Sequence, residues 1–200
     1  MKERIKHLIL LVSLIGIDQI VKFWIAGNLK GQEPIIIIPH KILNLQYYEN
    51  TGAVWGILSG RVDFLRILTL MILVVILFLY FKIPNGKRYG ALKILAVFIV
   101  AGALGNMIDR FALGYVVDFI YFEFINFPLF NLADCYLTIS SVVLVLFALF
   151  YYKDEDFAFL EEALGRKKGN VEEKIVVNSS EDEKDQSIMK SDENKKNIEE

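Results

Sequence analysis

Four stretches of the chain are apolar almost without interruption, at about residues 8–26, 64–81, 91–108 and 132–152. Each comes close to the roughly 20 residues that a helix needs to cross the hydrocarbon of a bilayer. The pattern therefore predicts four transmembrane helices. The first run follows MKERIK, a start that also suits a secretory signal peptide. It lacks a small-x-small site at its end, and Asp18, Gln19 and Lys22 interrupt its second half, so a retained helix is expected. The intervening segments 27–63 and 109–131 are too apolar for plain loops. IIIIPHKILNLQYYEN sets Leu43, Leu45 and Tyr47 at alternate positions, and GYVVDFIYFEF is rich in β-branched and aromatic residues, both signals of strands. The expected fold class is a mainly α membrane protein: four transmembrane helices and a small β-sheet, or cradle, at the membrane surface.

Charge sets the orientation. Lys2, Arg4 and Lys6 precede the first span, Lys82, Lys87, Arg88 and Lys93 crowd the link between the second and third, and Lys153 follows the fourth. The positive-inside tendency puts these clusters, and both termini, in the cytoplasm. Segments 27–63 and 109–131 then face outward. The net charge of -2 hides an asymmetry, because residues 1–152 hold 13 Lys+Arg against 9 Asp+Glu while residues 153–200 hold 9 against 15. Two parts are expected: a transmembrane domain over 1–152, and a charged cytoplasmic tail over 153–200. Beyond about residue 177 the tail has too few large apolar residues to offset the entropy of ordering it, and is read as largely disordered.

Composition excludes several chemistries. Cys135 is the one cysteine, so no intrachain disulfide can form and no metal site can rest on paired thiolates. His7 and His40 are too few and too far apart for a zinc motif. The basic residues are dispersed at span ends rather than set in a stripe with aromatic stacking positions, so nucleic acid is not an expected partner.

A charged side chain at membrane depth costs at least about 2.5 kcal/mol, so each one calls for a partner or a purpose. Asp18 and Lys22 sit four apart on one helical face, with the acid on the N-terminal side; mutual neutralisation and a functional role are equally good readings. Asn106, Asp109 and Arg110 form one polar face at the end of the third span, where Asp109 can pair with Arg110 or with the adjoining loop. Asn131 and Asp134 at the start of the fourth span suit an N-cap with an acid in the first turn, and taken alone that reading is the stronger. Asp118 is different. It is flanked by apolar residues, with no Lys or Arg within five positions. A second carboxylate arriving from the top of the fourth helix would create a pair that cannot both ionise cheaply and so supplies an acid and a base together.

Five blocks, DQIVK (18–22), NTGAVWG (50–56), GALGNMIDR (102–110), VVDF (116–119) and FNLAD (130–134), resemble in order and placement the motifs of the lipoprotein signal peptidase (signal peptidase II) family. The resemblance covers about residues 5–150. It implies an aspartic endopeptidase of the bacterial cytoplasmic (inner) membrane with catalytic residues Asp118 and Asp134. The implied substrates are diacylglyceryl-modified prolipoproteins, cleaved just before the lipidated cysteine. By the same resemblance, Asp18, Lys22, Asn50, Gly102, Asn106, Arg110, Asn131 and Ala133 line or support the site, and the antibiotic globomycin occupies the same cleft. The expectation is a monomer in contact with membrane lipid, needing no metal or organic cofactor, with its active site near the outer face.

Two readings from other classes compete. Intramembrane acids in a four-helix bundle also mark a small transporter or proton relay, although no inverted repeat or matching pair of broken helices is evident. A scaffold using buried polar groups only for helix packing is the other, but it leaves an apolar-flanked Asp pair unexplained.

Overall fold

A computed structural model describes residues 2–40, 42–52 and 57–165. The described residues up to Lys153 form one compact unit. Its four long helices are α1 (Lys2–Leu29), α2 (Val62–Lys82), α3 (Gly90–Ala112) and α4 (Leu132–Phe150), all long and apolar enough to cross a membrane. Helix α1 starts at Lys2, ahead of the apolar run, because backbone hydrogen bonding continues through the polar residues that flank it. The outward faces of the helices carry large apolar side chains, and Phe23 and Phe150 are 83% and 82% exposed. Apolar surface this continuous fits lipid rather than water.

Helix α3 occupies the centre of the bundle, packing on α1, α2 and α4. Close approach is possible because α3 presents glycines. A Cβ on Gly102 would fall 2.7 Å from Leu137 Cγ of α4, and one on Gly105 would fall 2.7 Å from Asp18 Oδ2 of α1. With no hydrophobic effect between helices in lipid, small residues of this kind gain packing by letting backbones approach.

The predicted sheet is present. Strands β1 (Ile35–Ile38), β2 (Leu43–Asn50) and β3 (Val116–Tyr121) form a three-stranded antiparallel sheet in that order. It is fixed to the bundle by Val117 and Phe119, which bury against Ile25 and Leu29 at the C-terminal end of α1. Fully burying an aliphatic or aromatic side chain of this size contributes about 1.5–3 kcal/mol. At the rim of the same face, where Tyr47 packs against this cluster, Lys30 Nζ meets Glu49 Oε1 at 2.8 Å, and Tyr47 Oη donates to the same oxygen at 2.8 Å.

Residues 154–165 belong to a second unit, in which a 3-10 turn (Asp154–Phe157) leads into α5 (Ala158–Ala163). The disorder expected after about residue 177 falls outside the described residues.

Candidate active site

Strand alternation aims Asp118. Successive side chains of β3 point to opposite faces, so when Val117 and Phe119 turn into the core, Asp118 turns the other way. The carboxylate accepts from Asn50 Nδ2 of β2 at 2.8 Å (Oδ2) and from Asn131 Nδ2 at 2.6 Å (Oδ1). Burial pushes its pKa up to about 7, with the nearby charge of Asp134 adding to the rise; the hydrogen bonds from Asn50 and Asn131 and the charge of Lys22 act against it.

Helix α4 delivers the second acid by its own capping. Asn131 is the N-cap: its Oδ1 accepts from the Asp134 amide at 3.0 Å, and its own amide donates to Asp134 Oδ2 at 3.1 Å, forming a capping box. Asp134 Oδ1 is held in turn by Asn106 Nδ2 at 2.7 Å. The capping interpretation therefore holds, and the same cap that fixes the Asp134 carboxylate also reaches Asp118. Asn131 is fully buried, and its Nδ2 also lies 3.0 Å from Asn106 Oδ1.

Behind these amides lies a buried ionic cluster. Lys22 Nζ is 2.9 Å from Asp18 Oδ2, 3.0 Å from Asp109 Oδ2 and 3.0 Å from Asn106 Oδ1. Asp18 Oδ1 accepts from the Ala133 amide at 3.0 Å, and Asp109 Oδ2 accepts from the Val117 amide at 3.1 Å. The cluster therefore ties α1 and α3 to the start of α4 and to β3, one residue from each candidate acid. Asp109 pairs with Lys22 and with the β3 backbone, not with Arg110. Arg110 instead reaches Gly52 O at 3.2 Å, linking α3 to the segment after β2.

Both acids open onto one cavity of about 1000 Å³. Its polar lining includes Asn50, Asn106, Arg110, Asp118 and Asp134, while Ile72, Phe127, Phe130, Leu137 and Ile139 contribute apolar wall. That combination suits a ligand with a long apolar part and a polar centre near the acids.

Of the residues singled out in the sequence, Asn50, Asn106, Arg110, Asp118 and Asp134 line this cavity, whereas Asp18, Lys22, Asn131 and Ala133 stand behind it and hold the liners in place. Gly102 works at the contact between α3 and α4. Sequence reasoning missed Gln19, whose Nε2 donates to Asp109 Oδ1 at 2.9 Å and to Gly105 O at 3.2 Å. A neutral amide beside Asp18 in an apolar span was the available signal. It also missed the wall residues Phe127, which lies in none of the five blocks, and Phe130, which opens the FNLAD block but was not singled out from it.

Four apolar helices carrying a small sheet over an acid-lined cavity define a bacterial integral membrane enzyme, the class to which two solved structures of similar fold belong. A bacterial membrane enzyme solved by the in meso method at 2.3 Å matches with a TM-score of 0.61 at 32% identity, covering 83% of this chain and 94% of that one. A second, solved by the same method at 1.9 Å, gives 0.62 at 38% identity, covering 74% and 94%. The family model described as signal peptidase (SPase) II matches residues 10–150. The chain belongs to the signal peptidase II family and is a peptidase. Among its relatives, the lipoprotein signal peptidase of Lactococcus lactis is 42% identical over 145 residues, spanning 72% of this chain and 93% of that protein. That of Streptococcus thermophilus is 38% identical over 136 residues, spanning 68% and 87%. That of Staphylococcus aureus is 40% identical over 144 residues, spanning 71% and 86%.

Proposed function

We propose that this peptidase removes the signal peptide from diacylglyceryl-modified prolipoproteins, cutting before the lipidated cysteine, with Asp118 and Asp134 activating water. The relatives are named for lipoprotein signal peptides. The observation that carries the catalytic assignment is that Asn131 bonds to both carboxylates while both line one cavity.

In this reading one proton is shared by the two acids. The ionised member takes a proton from water as its oxygen attacks the scissile carbonyl, and the protonated member donates to the carbonyl oxygen. Collapse of the tetrahedral diol breaks the C–N bond: the leaving amine accepts the proton that the first acid took from water, and a diol hydroxyl returns its proton to the second acid, which restores the starting pair. Neither carboxylate is acylated. The acyl chains of the substrate lie along the apolar wall, which confines the peptide bond to the depth of the acids and replaces a three-dimensional search with a positioned encounter. Arg110 holds the polar ester region of the lipid, while Asn50, Asn106 and Asn131 keep the two carboxylates oriented. The transmembrane domain spans 1–152 with a charged tail beyond it. Both termini are cytoplasmic, the cavity opens near the outer face, and the enzyme acts as a monomer.

The experiment is to express Asp118→Asn and Asp134→Asn separately in membranes and follow conversion of a lipidated precursor. Each should lower the rate at least about 100-fold, the scale of a lost general acid or base. Full cleavage by either variant overturns the dyad.

A further inference from the structure

At the end of the bundle opposite the acids, a second cavity of about 470 Å³ lies between the start of α1, the end of α2 and the start of α3. Successive helices run in opposite directions, which gathers these three ends. Lys93 and Asn106 on α3 are separated by about 20 Å of helix axis, at about 1.5 Å per residue. The two cavities are therefore distinct.

The lining is cationic. Lys2, Arg4 and Lys93 contribute to it, against the single acid Glu3. Lys93 is 9% exposed, yet among the described residues its one hydrogen-bond partner is a neutral oxygen, Asn85 Oδ1 at 2.8 Å, and no carboxylate comes within ion-pair distance. An ammonium group has three donors, and removing one from water without a counter-charge is unfavourable. The remaining lining is polar and preformed: His7 Nδ1 is bonded to Tyr80 Oη at 2.7 Å, which fixes the ring with Nε2 available. The first turn of the 28-residue α1 also meets this cavity, adding amide donors at the positive end of the helix dipole.

We infer that the cavity framed by Lys2, Arg4, His7 and Lys93 binds a phosphate group, as carried by the headgroup of an anionic phospholipid in the adjoining leaflet or by free phosphate. Basic pockets between helix ends at a membrane surface have the chemistry to hold lipid phosphate, each cation contributing about 1 kcal/mol, or about fivefold in affinity. An occupant would supply the counter-charge that Lys93 lacks within the protein. The inference is independent of the peptidase assignment, since none of these residues lies near the acids.

The test uses the full-length chain in neutral detergent, titrated with phosphatidylglycerol, with phosphatidylcholine and with inorganic phosphate, and read by native mass spectrometry and by thermal midpoint. Saturable retention of phosphatidylglycerol over phosphatidylcholine supports a lipid headgroup as the occupant. Equal saturation by inorganic phosphate supports the site with free phosphate as the occupant. Arg4→Gln, at an exposed position, and Lys93→Gln should each weaken binding about fivefold, and the Arg4 variant keeps the measurement informative if the Lys93 variant fails to fold. Unchanged retention in a folded Arg4→Gln/Lys2→Gln double variant, or no preference for phosphate-bearing anions, overturns the inference. Lipopeptide cleavage is assayed in parallel, so loss of activity and loss of binding are read separately.

Discussion

Asn131 donates from its side-chain amide to Asp118 Oδ1 at 2.6 Å, although Asp118 sits on a strand and Asn131 caps a helix. Because the same residue forms the capping box with Asp134, one buried residue bridges the two acids. The local rule that starts α4 is thus also the rule that assembles the site.

This relationship separates stability from activity. Asn131→Ala should cost about 0.5–2 kcal/mol through the lost cap and lower kcat well over tenfold. Asn131→Ser should recover most of the stability, since a hydroxyl caps the helix, but not kcat, since it is too short to reach Asp118. Melting of the purified protein beside lipopeptide kinetics checks both; a Ser variant with full activity would show that the bridge to Asp118 is dispensable.

The raised pKa of Asp118, about 7 against an ordinary 3.8, fixes the sign of a pH effect. Between those values the folded state holds a proton that the unfolded chain has released, so this contribution to stability is full below about pH 4 and is lost as pH rises through about 7. Thermal midpoints between about pH 4 and 8 should fall less steeply in Asp118→Asn than in the parent. On the proposed mechanism, activity should decline on the alkaline side of about pH 7, where Asp118 ionises and no proton is left to share.

The buried triad should be sensitive to loss of its cation. Lys22→Met leaves Asp18 and Asp109 buried without the ammonium between them and should destabilise by about 3–5 kcal/mol. Adding Asp109→Asn should restore part of that. If the single variant melts like the parent, the triad does not secure α1 and α3.

Helix contact is tested with two glycines. Gly102→Ala drives a methyl into Leu137 and the α4 backbone and should cost about 1–3 kcal/mol and reduce cleavage, because α4 carries Asp134. Gly16→Ala, with nothing within 4 Å, should be neutral or stabilising by about 0.5–1 kcal/mol. Equal melting of the two variants would contradict the close approach of α3 and α4.

The sequence by itself determined the four helices, because hydrocarbon requires long uncharged runs and no other segment can satisfy its backbone there. It also determined the strand character of GYVVDFIYF and the candidacy of Asp118, a carboxylate with no nearby cation along the chain. Tertiary structure alone decided how the polar residues divide. Asp18 and Lys22 are four apart in either reading of the sequence, and only the arrival of Asp109 and of the Ala133 amide makes them a strut behind the site. Asp109 and Arg110 are adjacent, yet neighbours on a helix point about 100° apart, so one enters the strut and the other the cavity. The wall of Phe127, Phe130, Leu137 and Ile139 was illegible for the same reason: apolar residues carry no mark of what they face until the segments meet.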